Sequence, residues 1–229
     1  MLDELIRINR ETCNILWNLP DMDYGPTLDY PRLIIPSKRD KNKRISEQEA
    51  RFVFCSILNN SDFFYSIETP TEKEYQISGK GMRSASTDLS IYEYRNGFRK
   101  LVNVEFKAHN PRFREIEKDV KKLVGEEITG NWFHLLKNVN SKTLMALFSK
   151  MEKALMMNYS NEISILFCFC VLDKKWACIK HFNWNGSEFP EDEKQEKYRA
   201  FVERFFRLDY FVRRGIIVVD ENDWMIYSN

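Results

Sequence analysis

The chain lacks a surplus of charge of either sign, a long apolar run, a histidine cluster and a regular cysteine framework, and each shortage removes a class of function. Its 35 Lys and Arg almost cancel its 34 Asp and Glu, for a formal net charge of +1. Any contact with nucleic acid must therefore come from a local basic patch and not from the molecule as a whole. The longest apolar stretch, ISILFCFCVL from Ile163 to Leu172, is too short to span a bilayer. The opening MLDELIRINRE mixes acids with alternating charge, unlike a secretory leader. The expectation is a cytoplasmic protein with no membrane partner. Five cysteines, an odd number at irregular spacing, argue against a disulfide scaffold. Cys168 and Cys170 alternate with Phe167 and Phe169 in the apolar run, as the core residues of a buried strand do. The three histidines, His109, His134 and His181, stand apart from one another and no zinc spacing is present. His-centred hydrolases and HExxH proteases are thereby set aside.

What is present is a globular composition, 43% hydrophobic and 14% aromatic over 229 residues, ample for a core. Apolar spacing predicts a helix over 2–19, ended by Pro20. Residues 20–36 hold four of the seven prolines, and SKRDKNKR at 37–44 is a basic cluster; it reads as a solvated loop or as a phosphate-contacting arm. SEQE at 46–49 is a capping box, Ser46 as N-cap and Glu49 at its third position, with Ile45 and Ala50 placed to staple it. That helix is predicted to reach about Leu58. Strands are expected at FFYSIET, with a second limb at YQIS, and at a hairpin over 86–107; NPRFREIEKDVKKLVGEE is the next helix. NWFHLLKN reads as a strand and SKTLMALFSKMEKALMM as a helix capped by Ser141. EISILFCFCVLD and KWACIKHFNW read as a strand pair, residues 191–214 as a helix and GIIVVD as a last strand. The expectation is one mixed α/β domain: a helix and basic loop over 1–45, a core over 46–138 and an elaboration over 139–229.

The hairpin is the informative stretch. Asn96-Gly97 signals a two-residue type I′ turn. With that turn Arg95 pairs with Phe98, and one face carries Leu89 opposite Val104 and Ile91 opposite Val102, an apolar pairing. On the other face Asp88 lies opposite Glu105, and Lys107 opposite Ser86. Directly opposed Cβ atoms stand roughly 4.5–5.5 Å apart. Two carboxylates at about 5 Å repel by roughly 3 kcal/mol at an effective dielectric near 20. A shared divalent cation turns that cost into binding energy, and carboxylate oxygens suit Mg²⁺.

Asp88, then Glu105-Phe106-Lys107 at the end of an apolar strand, resembles the active-site motif of the PD-(D/E)xK nuclease superfamily. The resemblance extends over about residues 46–138 in element order. It implies a restriction endonuclease-like fold, a mixed central sheet flanked by helices with further helices and strands at both ends. It also implies Mg²⁺- or Mn²⁺-dependent hydrolysis of phosphodiester bonds, usually in DNA. By motif, Asp88 and Glu105 would be metal ligands, the Phe106 carbonyl a further one, and Lys107 the catalytic lysine. Thr87 stands where the family name has proline. The helix acid is open between two residues: Glu49 is the first choice, and Glu47 lies nearer the apolar face of Ala50, Val53, Phe54 and Ile57. A role in defence against foreign DNA, or in its processing, fits the family by analogy, as do RNA cleavage and a catalytically silent binding module.

Candidate phosphate contacts are Lys80 and Arg83 in SGKGMRS, which lacks the spacing of a P-loop, Lys38 and Arg39 in the basic cluster, and Arg112. Lys118, Lys121 and Lys122 are expected mostly on the solvent face of their helix. No base-reading module is evident, so tight sequence specificity is not expected. A single site addresses one strand, and duplex cleavage would favour a homodimer.

Overall fold

A computed structural model describes residues 1–19, 33–35, 45–77, 80–206, 210–213, 216–219 and 224–228. Lys38 and Arg39 lie outside the described residues. Lys80 and Arg83 are described in backbone only.

The elements, in order, are α1 (Leu2–Asn18), α2 (Glu47–Leu58), β1 (Phe64–Ile77), β2 (Lys80–Tyr94), β3 (Phe98–Ala108), α3 (Phe113–Gly125), β4 (Thr129–Leu136), α4 (Ser141–Met157), β5 (Glu162–Val171), β6 (Trp176–Asn185), α5 (Lys194–Phe205), β7 (Tyr210–Arg213), β8 (Ile216–Val219) and β9 (Met225–Ser228). The chain is mixed α/β. Seven strands form one sheet in the order β1-β2-β3-β4-β5-β6-β9. β3, β4 and β5 run parallel, and the pairs outside them are antiparallel. β7 and β8 pair separately. Among the described residues, no helix is long and apolar enough to cross a membrane.

Strand alternation divides the core in two. Val102, Val104 and Phe106 of β3 pack with Val53, Phe54 and Ile57 of α2 and with Leu5, Ile8 and Leu16 of α1. Ile116, Val120 and Leu123 of α3 pack with Leu147 and Met151 of α4 and with Ile165, Phe167 and Phe169 of β5 on the opposite face. The intervening β3 residues Asn103, Glu105 and Lys107 therefore point toward α3. All five cysteines are buried and unbridged.

Several expectations are corrected. The two limbs predicted at FFYSIET and YQIS are one strand, β1, with register shifts near Pro70–Glu74 and Gln76–Ile77. The cap of α4 is Asn140, whose side chain accepts the Thr143 N–H at 2.9 Å, and Ser141 is the first helical residue. The predicted helix over 191–214 ends at Phe205, and Tyr210–Arg213 is strand β7. β9 pairs along β6 and is an edge strand with no counterpart in the sequence reading.

The hairpin turn is one residue longer than predicted. Tyr94 faces Phe98, Glu93 faces Arg99 and Tyr92 faces Lys100, leaving Arg95, Asn96 and Gly97 in the loop. Asn96 takes φ 60° and Gly97 φ 144°, left-handed values that favour this pair of residues. Between Lys100 and Val102 an extra residue, Leu101, bulges from β3 and returns the strands to the predicted pairing of Ile91 with Val102 and Leu89 with Val104. The pairs leading up to the acids, Ile91–Val102 and Leu89–Val104, are thus in the predicted register.

Candidate active site

The β2–β3 ladder stops at Leu89–Val104, one step short of the expected Asp88–Glu105 pair. Beyond it the Asp88 side chain takes over from the backbone: its Oδ2 accepts the Phe106 N–H at 2.7 Å. The Ser86 carbonyl accepts the Lys122 ammonium at 2.8 Å. This break sits at the carboxyl end of parallel strand β3, where open α/β sheets place their ligand crevices.

Around it four carboxyls face two ammonium groups. Lys107 Nζ donates to the Phe106 carbonyl at 3.0 Å and lies 2.7 Å from Asp119 Oδ2. Lys122 Nζ lies 2.9 Å from Asp119 Oδ1 and 2.5 Å from Glu105 Oε1. Glu47, at the first turn of α2, is near enough for Lys107, Asp88 and Asp119 to influence its titration. Two of these residues escape a sequence reading. Asp119 was not singled out, and Lys122, expected on the solvent face, is 3% exposed. The available signal was position: Asp119 falls inside the apolar stripe of Ile116, Val120 and Leu123.

Glu105 is fully buried. Its contact with Lys122 is close in distance, but neither carboxyl oxygen accepts a well-formed hydrogen bond among the described residues. Burial, with the nearby Asp119 charge, pushes its pKa well above the carboxylate range against the pull of Lys122. Burial also raises Glu47, with Lys107 opposing. For Asp119 burial acts upward, and the two lysines outweigh it and hold the carboxyl below its usual value. Burial acts downward on both lysines, and the surrounding carboxylates outweigh it and raise them. Both lysines are cations at neutral pH.

Of the two acids in the first turn of α2, Glu47 is the one within electrostatic reach of Lys107, Asp88 and Asp119. Glu49, the sequence's first choice, is committed to the capping box: its Oε2 accepts the Ser46 N–H at 2.8 Å and contacts the Ser46 hydroxyl. It also lines a cleft of about 590 Å³ with Phe52, Tyr65 and Ile67, which includes none of the clustered residues. Arg112 is exposed in the connection after β3, at the N-cap of α3, and its backbone N–H donates to Glu115 at 2.8 Å. His109, φ 62°, places its Nε2 at 2.8 Å from the Ile45 carbonyl, tying the segment ahead of α2 to the end of β3.

Among the described residues no group of three or more His, Cys, Asp or Glu side chains converges to hold a metal ion. The donors present still fit a hard cation. Asp88, Glu105 and the Phe106 carbonyl supply oxygen only, and Mg²⁺ commonly uses one or two carboxylates and completes its shell with water and phosphate. The buried Glu105 oxygens without hydrogen bonds are what such an ion would satisfy. No protein-family model matches the chain, and comparison with curated proteins and with solved structures likewise gives no match.

Proposed function

We propose that this chain is a metal-dependent nuclease of restriction endonuclease-like fold that hydrolyses phosphodiester bonds, with DNA as substrate. The observation that carries the reading is Glu105: a fully buried carboxyl whose oxygens accept no well-formed hydrogen bond, on the same face as Asp88 and paired with Lys122 alone, a costly arrangement that a sheet does not need for its own structure. In this reading Asp88, Glu105 and the Phe106 carbonyl hold Mg²⁺ or Mn²⁺, with Glu47 as the helix acid beside them. The bound ion would lower the pKa of water and neutralise phosphate charge. Lys107, fixed by Asp119, presents a permanent cation where a phosphate oxygen gains charge during in-line attack by water. Lys80, Arg83, Arg112, Lys38 and Arg39 are proposed contacts to the nucleic-acid backbone, which position a duplex without reading its sequence. Cutting both strands would call for two copies of the chain.

A second reading, a catalytically silent module that binds nucleic acid or protein, draws on the absence of a three-acid group among the described residues and on the ion pair between Lys122 and Glu105. Plasmid and matched DNA and RNA oligonucleotides, incubated in Mg²⁺, Mn²⁺ or EDTA, separate the two. The nuclease cuts DNA with either metal and stops in EDTA and in Asp88→Asn and Lys107→Ala. Cleavage that survives in EDTA, or in both variants, overturns the mechanism. Duplex binding without product supports the silent module, and cleavage confined to RNA redirects the substrate.

A further inference from the structure

Lys122 is buried on the inner face of α3, its side chain 4% exposed. Its ammonium meets three oxygens: the Ser86 carbonyl at 2.8 Å, Asp119 Oδ1 at 2.9 Å and Glu105 Oε1 at 2.5 Å. A lysine has three N–H donors and no acceptor; here one hydrogen bond goes to the Ser86 carbonyl and the two carboxylates are ion-pair contacts, the one to Glu105 without well-formed hydrogen-bond geometry. One backbone carbonyl and two carboxylates are also what a hard metal ion takes. We infer that Lys122 is the resident cation of this site, competing with a divalent ion for Glu105 and setting the affinity with which that ion binds.

The inference rests on the reading that Glu105 is a metal ligand. Three observations support the competition. Glu105 Oε1 lies against Lys122 as an ion pair, and neither Glu105 oxygen has a hydrogen-bond partner among the described residues. The cluster holds four carboxyls, Glu47, Asp88, Glu105 and Asp119, against two ammonium groups, so Lys122 leaves room for further positive charge without being needed to supply all of it. Asp119 grips Lys107 and Lys122 together, so Lys122 has an anion to hold once Glu105 turns to another ion. A divalent ion at Glu105 and an ammonium in contact with the same carboxylate repel each other. Removing the ammonium must then favour the ion.

The test is Mn²⁺ binding, followed by electron paramagnetic resonance and calorimetry, on the wild type, Lys122→Met, Lys122→Gln and the exposed control Lys121→Met. The two neutral variants at position 122 are expected to bind Mn²⁺ more tightly by roughly tenfold or more, with Lys121→Met unchanged. Affinity that is unchanged or weakened in folded 122 variants makes Lys122 a structural prop for Glu105 and overturns the inference. Should neither variant fold, the lysine ammonium resonances of the wild type decide. The Lys122 signal must move on Mg²⁺ addition along the same isotherm as binding, and a signal that stays still overturns the proposal. Cleavage is not among the readouts: a chain that binds Mn²⁺ in this manner and cuts nothing loses the nuclease reading and keeps this one. No Mn²⁺ binding in any variant ends both.

Discussion

The Asp88 carboxylate accepts the Phe106 backbone N–H at 2.7 Å, just where the β2–β3 ladder runs out. One oxygen of Asp88 thus substitutes for a strand, and the charge of the group is free for other work. The two roles are separable by substitution. Asp88→Asn keeps a carbonyl oxygen for the Phe106 N–H, so stability should change by less than about 1 kcal/mol. Losing the charge should nonetheless lower cleavage by roughly a hundredfold or more. Asp88→Ala leaves the N–H without its acceptor and should cost about 1–3 kcal/mol as well. Urea melts beside cleavage rates check this. Equal loss of stability in the two variants would show that the hydrogen bond is not what Asp88 contributes.

The first turn of α2 carries two acids with different employment. Glu49 closes the capping box on Ser46, and Glu47 lies within the electrostatic reach of Lys107, Asp88 and Asp119. Glu49→Ala should lose about 1 kcal/mol of stability with cleavage within about twofold of wild type. Glu47→Gln should melt close to wild type and lose activity by roughly tenfold or more. The opposite pattern would return the helix acid to Glu49.

Asp119 is the joint between the two lysines and is 5% exposed. Replacing it with Asn leaves Lys107 without its carboxylate and Lys122 with Glu105 alone, and breaking a buried pair from one side costs about 3–5 kcal/mol. Equilibrium unfolding of Asp119→Asn should fall in or just below that range, because Lys107 keeps 15% of its side chain exposed. A loss under about 1 kcal/mol would mean that the pairs behave as surface ones.

Much of this geometry was legible in residues 86–107 because two local rules point the same way: Asn96-Gly97 demands a turn, and Leu89, Ile91, Val102 and Val104 demand one shared face. The turn itself was misread by one residue, and the Leu101 bulge offsets that error before the acids are reached. Nothing local announces a bulge whose reason is the pairing farther along. The inward side of α3 was not legible, since a Lys on a helix usually faces water. Lys122 is turned inward by acids on β3 and on its own helix. β9 escaped because four residues, MIYS, carry too little pattern to show a strand, and its place along β6 is a tertiary fact.

His134 gives a prediction independent of any catalytic reading. It is fully buried on β4, and both ring nitrogens are engaged: Nδ1 accepts the Trp132 indole N–H at 3.3 Å, and Nε2–H donates to the His109 carbonyl at 2.8 Å. The ring stacks on Phe169 with centroids 5.7 Å apart. A second ring proton would have to displace the indole, and burial pushes the pKa down to about 4 from an ordinary 6.5. Above pH 6.5 the residue is neutral whether the chain is folded or not, and its contribution is complete. Between about 6.5 and 4 the unfolded chain takes up a proton that the folded chain refuses, so stability falls as pH falls. The full effect is about 3 kcal/mol. His134→Gln should be less stable than wild type at pH 7.5, having lost ring packing. It should lose less on acidification, so that the gap between the two narrows as pH falls to 4.5. Carboxyl groups elsewhere titrate alike in both proteins and cancel in that difference. Urea melts that keep the gap constant from pH 7.5 to 4.5 would mean that the imidazole can be protonated in place.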